Sequence, residues 1–77
     1  MTADELHRIQ TEVAKGLPVH LRPNLLTFNG DGYVGWKWLD PTTRAQHGNT
    51  FNTEGLSHPE ITERIRQELD IARHAHP

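Results

Sequence analysis

The sequence predicts an α+β domain: two helices packed on one face of a small three-stranded antiparallel sheet, in the order α-β-β-β-α. Three observations predict it. Two capping boxes, Thr2-Ala-Asp-Glu5 and Ser57-His-Pro-Glu60, each head a stretch whose apolar residues recur at helical spacing. Between them lies PNLLTFNGDGYVGWKWLDPTTR, in which apolar residues alternate about a glycine-rich tip, the pattern of a β-hairpin. The segment after it, up to Ser57, carries only Ala45, Phe51 and Leu56 as apolar anchors.

In the first helix the Thr2 hydroxyl takes the amide of Glu5, and Leu6, Ile9, Val13 and Leu17 form one stripe. Gly16, followed by Leu17-Pro18, ends it, because glycine accepts a left-handed cap and proline cannot continue the ladder. The helix is placed at about 3–15. In the second, Pro59 sits in the first turn, where its missing amide is harmless. Ile61, Ile65, Leu69 and Ala72 make its stripe, Glu60 and Arg64 pair at i,i+4, and Arg73 and His74 suit the negative end of the dipole. This helix is placed at about 58–74.

Loop length decides the faces of the hairpin. A two-residue turn at Asn29-Gly30 puts Leu26 and Phe28 on one face with Asp31, Gly35 and Lys37. A three-residue loop, Gly30-Asp31-Gly32 with Gly32 left-handed, puts Leu26, Phe28, Val34, Trp36 and Trp38 together. Leu25, Thr27, Asn29, Tyr33, Gly35 and Lys37 then share the other face. Since a one-residue slip inverts a strand, the expectation is the three-residue loop, with strands at about 20–29 and 32–39. Asp40-Pro41-Thr42-Thr43 supplies turn chemistry. A third strand at about 48–53, with Phe51 inward, avoids an improbably long structureless connection. The expected core is Leu6, Ile9, Val13, Leu26, Phe28, Val34, Trp36, Trp38, Ile61, Ile65 and Leu69.

The 77 residues make one domain, 1–77, with a modest core and no cysteine, so disulfides and cysteine zinc sites are excluded. A domain this small gains from association, and a homodimer is expected through an edge strand or the spare apolar surface of Leu56 and Ile71. The beginning MTADELHR is acidic and lacks the apolar run of a signal peptide. No stretch approaches the roughly 18–20 apolar residues of a membrane span, so the expected location is the cytoplasm. Net charge is −2, and only residues 20–50 carry more Lys and Arg than Asp and Glu, three against two.

No pattern points to catalysis. Ser57, the single serine, has a capping role, and the acids fall on helix faces where solvation and pairing explain them. Gly30, Gly32 and Gly35 lie inside a hairpin and present no helix N-terminus to phosphate. The six histidines, at 7, 20, 47, 58, 74 and 76, form no HxxxH or HExxH set, so neither metal nor cofactor is expected. Trp36 and Trp38 serve either as a stacking platform for unpaired bases or as core; the register argument favours core. The opposite sheet face, with Thr27, Asn29, Tyr33 and Lys37 and with Arg22 and Arg44 flanking it, reads as a β-ribbon able to enter a DNA major groove, or as an ordinary solvated face.

The hairpin resembles the N-terminal arm-binding domain of lambda-type phage integrases. The residues that carry the likeness are Pro23-Asn24-Leu25 opening the first strand and Gly32-Tyr33 after the tip. Asp40-Pro41 with Thr43 follows the aromatic strand, and a helix closes the unit. The resemblance spans about residues 22–75 and implies a DNA-facing sheet, mapped onto Thr27, Tyr33, Lys37 and Arg44. This chain differs in its acidic first helix and in residues 45–53, which lack the basic character expected of the third strand. The element order is also that of double-stranded-RNA-binding domains, but the start of the last helix, SHPEITER, has the wrong charge for phosphate. The expected function is therefore that of a non-enzymatic DNA-binding module or accessory regulator using Arg22, Thr27, Asn29, Tyr33, Lys37 and Arg44. The alternative is a protein-binding module, such as a phage- or mobile-element-encoded inhibitor of a host protein.

Overall fold

A computed structural model describes residues 1–28 and 32–75, the side chain of Phe28 excepted. Helix α1 spans Ala3–Ala14, and strands β1, β2 and β3 span Asn24–Phe28, Tyr33–Leu39 and Gln46–Asn52. Helix α2 spans His58–Arg73, giving the α-β-β-β-α order of an α+β fold. The sheet is antiparallel throughout, with β2 in the middle.

Both capping boxes form. Glu5 N donates to Thr2 Oγ1 at 3.1 Å while Thr2 N donates to Glu5 Oε1 at 3.2 Å. The same exchange joins Ser57 and Glu60, at 3.3 and 3.0 Å. Each satisfies two of the orphan amides at a helix start. The helices run parallel: His58 Nε2 lies 2.9 Å from Glu5 Oε2 at their starts, and Arg66 Nη1 reaches the Glu12 carbonyl further along. Ile9 and Val13 of α1 and Ile61, Ile65, Leu69 and Ala72 of α2 meet Val34, Trp36, Trp38 and Phe51 in one core. Leu6, expected in the core, packs at its margin with Leu17, Leu21 and Leu56.

The first strand is corrected in length and in face. Residues Val19–Leu21 form a turn of 3₁₀-helix, so β1 begins at Asn24 rather than near residue 20. That turn is held by Trp38 Nε1, which donates to the His20 carbonyl at 2.9 Å, and by Arg22 Nε, which donates to the Leu17 carbonyl at 2.8 Å. Within the sheet Leu25 lies across from Trp36 and Thr27 across from Val34. Leu25 is therefore inward and buried, while Leu26 pairs with Gly35 on the outer side and is 38% exposed.

The expected register was one residue off, which exchanges the two faces of a strand. The physical reason lies upstream of the hairpin. Leu21, Pro23 and Leu25 alternate, Pro23 and Leu25 are buried, and Leu21 packs on the core, so the inward face is already chosen before the turn. The last pair, Phe28 with Tyr33, leaves four residues between the strands instead of three. Gly32 has the expected left-handed φ of 69°. Asn29, Gly30 and Asp31 lie outside the described residues, as does the expected core role of the Phe28 side chain.

The β2–β3 turn is built on Asp40. Its buried carboxylate accepts the amides of Thr42 and Thr43 at 2.8 and 3.2 Å, and its own amide donates to the Ala45 carbonyl at 2.9 Å. Chain reversal is thus complete by Ala45, and β3 starts at Gln46, two residues earlier than expected. Phe51 points inward as expected and is buried.

Candidate functional site

With both helices on the tryptophan side, the opposite face of the sheet stands open. Its membership follows from the pairing: Asn24 and Leu26 from β1, Tyr33, Gly35, Lys37 and Leu39 from β2, and Gln46, Gly48, Thr50 and Asn52 from β3. Its chemistry is unusual for a solvated face. Leu26, Tyr33 and Leu39 are 38%, 41% and 55% exposed, and Lys37 is the single charged residue among these ten positions. On this face Leu26, beside Gly35, lies diagonal to Tyr33 at one end of β2, and Leu39 stands at the other end, so the exposed apolar groups flank Lys37 along the strand.

Lys37 holds the centre of this face, between Asn24 on one side and Gly48 on the other. A Cβ on Gly48 would stand 2.6 Å from the Trp36 carbonyl oxygen and 3.6 Å from Lys37 Cγ. Glycine there lets β3 approach β2 closely and lets the lysine stem lie across the strand.

The expected nucleic-acid residues do not assemble. Tyr33 and Lys37 share the open face. Thr27 is on the helix side, across from Val34, which corrects its assignment to the outer face. Arg22 lies before β1, with its Nε used to bind the Leu17 carbonyl. Arg44 sits exposed in the β2–β3 turn with a φ of 63°, and Asn29 lies outside the described residues. Leu39 was the legible omission: it follows Tyr33, Gly35 and Lys37 at a spacing of two, and so had to share their face. Leu26 was hidden by the register error.

On the helix side, Glu68 is more than a solvated acid. Its Oε1 accepts Trp36 Nε1 at 2.8 Å and Asn49 Nδ2 at 3.0 Å, and its Oε2 accepts Arg64 Nε at 3.0 Å. Burial raises the pKa of this carboxyl, but the hydrogen bonds from Trp36, Asn49 and Arg64 outweigh it, leaving the pKa below the usual glutamate value. The Arg64 guanidinium in turn lies 4.2 Å from the centre of the Phe51 ring. The cluster fastens α2 to β2 and β3 through three hydrogen bonds to one carboxylate.

The histidines are dispersed. His47 stacks on Trp38 with ring centres 5.7 Å apart, His58 meets Glu5, and His74 meets Asp70. Among the described residues no group of three or more His, Cys, Asp or Glu side chains is placed to hold a metal ion. No helix among them is long and apolar enough to cross a membrane. Comparison of the chain with protein-family models, curated proteins and solved structures found no match.

Proposed function

We propose that this chain is a non-enzymatic protein-binding module whose open sheet face docks on a partner protein. The observation that carries the reading is the composition of that face: Leu26, Tyr33 and Leu39 are each exposed on it, with Lys37 as the one charge among its described positions. Aromatic side chains such as tyrosine are enriched in protein interfaces, and charge is depleted at interface centres. The partner that suits the face presents apolar side chains around a carboxylate or carbonyl group for Lys37. A small domain of this kind acts by occupancy, as an inhibitor or accessory regulator.

The DNA reading has less support from the same geometry. Each phosphate neutralised by a cation adds about 0.9 to the slope of log affinity against log salt. Of the cations Arg22, Lys37 and Arg44, Lys37 alone stands on the face, and the chain's net charge is −2.

Affinity capture from lysate, with and without nuclease, tests the proposal when paired with Leu39→Asp, a substitution at an exposed site. The expected result is a partner that survives nuclease treatment and is lost with Leu39→Asp while thermal stability is unchanged. A gel shift of duplex DNA at low salt, abolished by Lys37→Glu and indifferent to Leu39→Asp, would return the case to DNA binding.

A further inference from the structure

The edge of the sheet offers a second surface, distinct from its open face. Among the described residues no strand lies beyond β3. The hydrogen-bond phase of that edge follows from the two ends of the β2–β3 ladder. Asp40 N donates to the Ala45 carbonyl at 2.9 Å, and Thr53 N donates to the Gly32 carbonyl at 2.7 Å. In an antiparallel ladder hydrogen-bonded pairs alternate, so Val34 with Phe51, Trp36 with Asn49 and Trp38 with His47 belong to the same set. The backbone N–H and C=O groups of Gln46, Gly48, Thr50 and Asn52 therefore point away from the sheet.

Edge strands are ordinarily blunted by charge, proline or brevity. Gln46–Asn52 has none of these: it is seven residues long and contains no Asp, Glu, Lys, Arg or Pro. The opposite edge is treated differently, since β1 is a five-residue strand entered through Arg22 and Pro23.

We infer that β3 pairs antiparallel with β3 of a second copy of this chain about a two-fold axis at Asn49, joining two sheets into one of six strands. This register is the one that overlaps all seven residues while keeping the outward groups in phase. Gln46 pairs with Asn52 of the second copy, and Gly48 with Thr50, on both sides of the axis. Each of these hydrogen-bonded pairs contributes two backbone bonds.

The flanking charges choose a second copy over an unrelated strand. Arg44 and Glu54 stand just beyond the two ends of β3, both exposed and in no ion pair among the described residues. Pairing about Asn49 brings the turn that carries Arg44 to the same end of the joined strands as the turn that carries Glu54 of the second copy, and the reverse at the other end, so opposite charges gather at both ends. On the helix side it brings His47 across from Phe51 of the second copy, an aromatic cross-strand pair. The flank of α2 above this edge adds apolar surface. Arg64 and Glu68 reach Phe51 and Asn49, and with them Ile71, 72% exposed, and Leu56 line one shallow groove.

Sedimentation equilibrium of the full chain tests the inference. The expected wild-type behaviour is a reversible dimer with a Kd of about 1–100 µM. Thr50→Pro removes an outward amide and no ladder bond, and is expected to weaken association by about tenfold or more. Arg44→Asp and Glu54→Lys are each expected to weaken it several-fold, and the double variant to restore it. Circular dichroism and tryptophan emission check that every variant is folded. A monomer up to about 0.5 mM, or a folded Thr50→Pro variant that dimerises normally, would overturn the inference. So would a double charge reversal that fails to rescue its weakened single variants, an outcome pointing to a different register or to a foreign strand.

Discussion

Trp36 Nε1 donates to Glu68 Oε1 at 2.8 Å, so the central strand is tied to α2 by a hydrogen bond between a core indole and a helix carboxylate. A buried indole N–H must find an acceptor or forfeit the desolvation free energy of the donor. Here the acceptor comes from 32 residues away in sequence and also takes Asn49 and Arg64.

Glu68→Gln is expected to cost about 1–3 kcal/mol, because three donors lose a charged acceptor. The pH dependence has a definite sign. A carboxyl whose folded pKa lies below its unfolded value stabilises the fold above the unfolded value of about 4.3, and the contribution disappears as pH falls through the lower folded value. Glu68, Glu5 and Glu60 all shift in this direction. Urea unfolding between pH 7 and pH 2.5 should show wild-type stability falling below about pH 4.5, with a shallower fall in Glu68→Gln.

Neighbouring leucines provide a test of the register. Leu25→Ala removes a buried side chain facing Trp36 and should cost about 2–4 kcal/mol. Leu26→Ala, on the open face, should stay within about 0.5 kcal/mol. Chemical denaturation of both variants checks the order, and the reverse ranking would mean that β1 has the opposite face inward.

Gly48 is constrained by backbone rather than by conformation. Gly48→Ala places a methyl 2.6 Å from the Trp36 carbonyl oxygen, an atom that belongs to the ladder and cannot rotate away. The strands must separate locally, at a cost of about 1–3 kcal/mol, measurable as a lowered thermal midpoint. Gly16→Ala fills open space but meets a φ of 76°, so its cost reflects backbone strain alone, about 1 kcal/mol.

Trp36→Ala should cost about 3–5 kcal/mol, since it opens a cavity and orphans Glu68 and its partners together. For a domain of 77 residues that is most of the available stability, and far-UV circular dichroism should report an unfolded chain. Trp36→Phe keeps most of the volume and separates the lost hydrogen bond from the cavity.

The order of elements, both helix starts and the left-handed glycines at 16 and 32 were determined by sequence alone, because each rests on residues within a few positions of one another. A capping box closes inside one turn, and a glycine's freedom belongs to that residue. The inward face of β1 was decided by tertiary structure. Leu25 and Leu26 are chemically identical neighbours, and a parity of one residue is settled only when the whole run from Leu21 meets α1 and Trp36. The same reason hid Leu26 from the candidate site. Tyr33, Lys37 and Leu39 follow from period two within β2, whereas Leu26 enters their face only through the pairing. Long-range partners chose the remaining roles: Trp38 is drawn to the His20 carbonyl, and Glu68 is drawn to Trp36. Local chemistry writes the elements, while registers and polar contacts between distant segments depend on how all the surfaces fit at once.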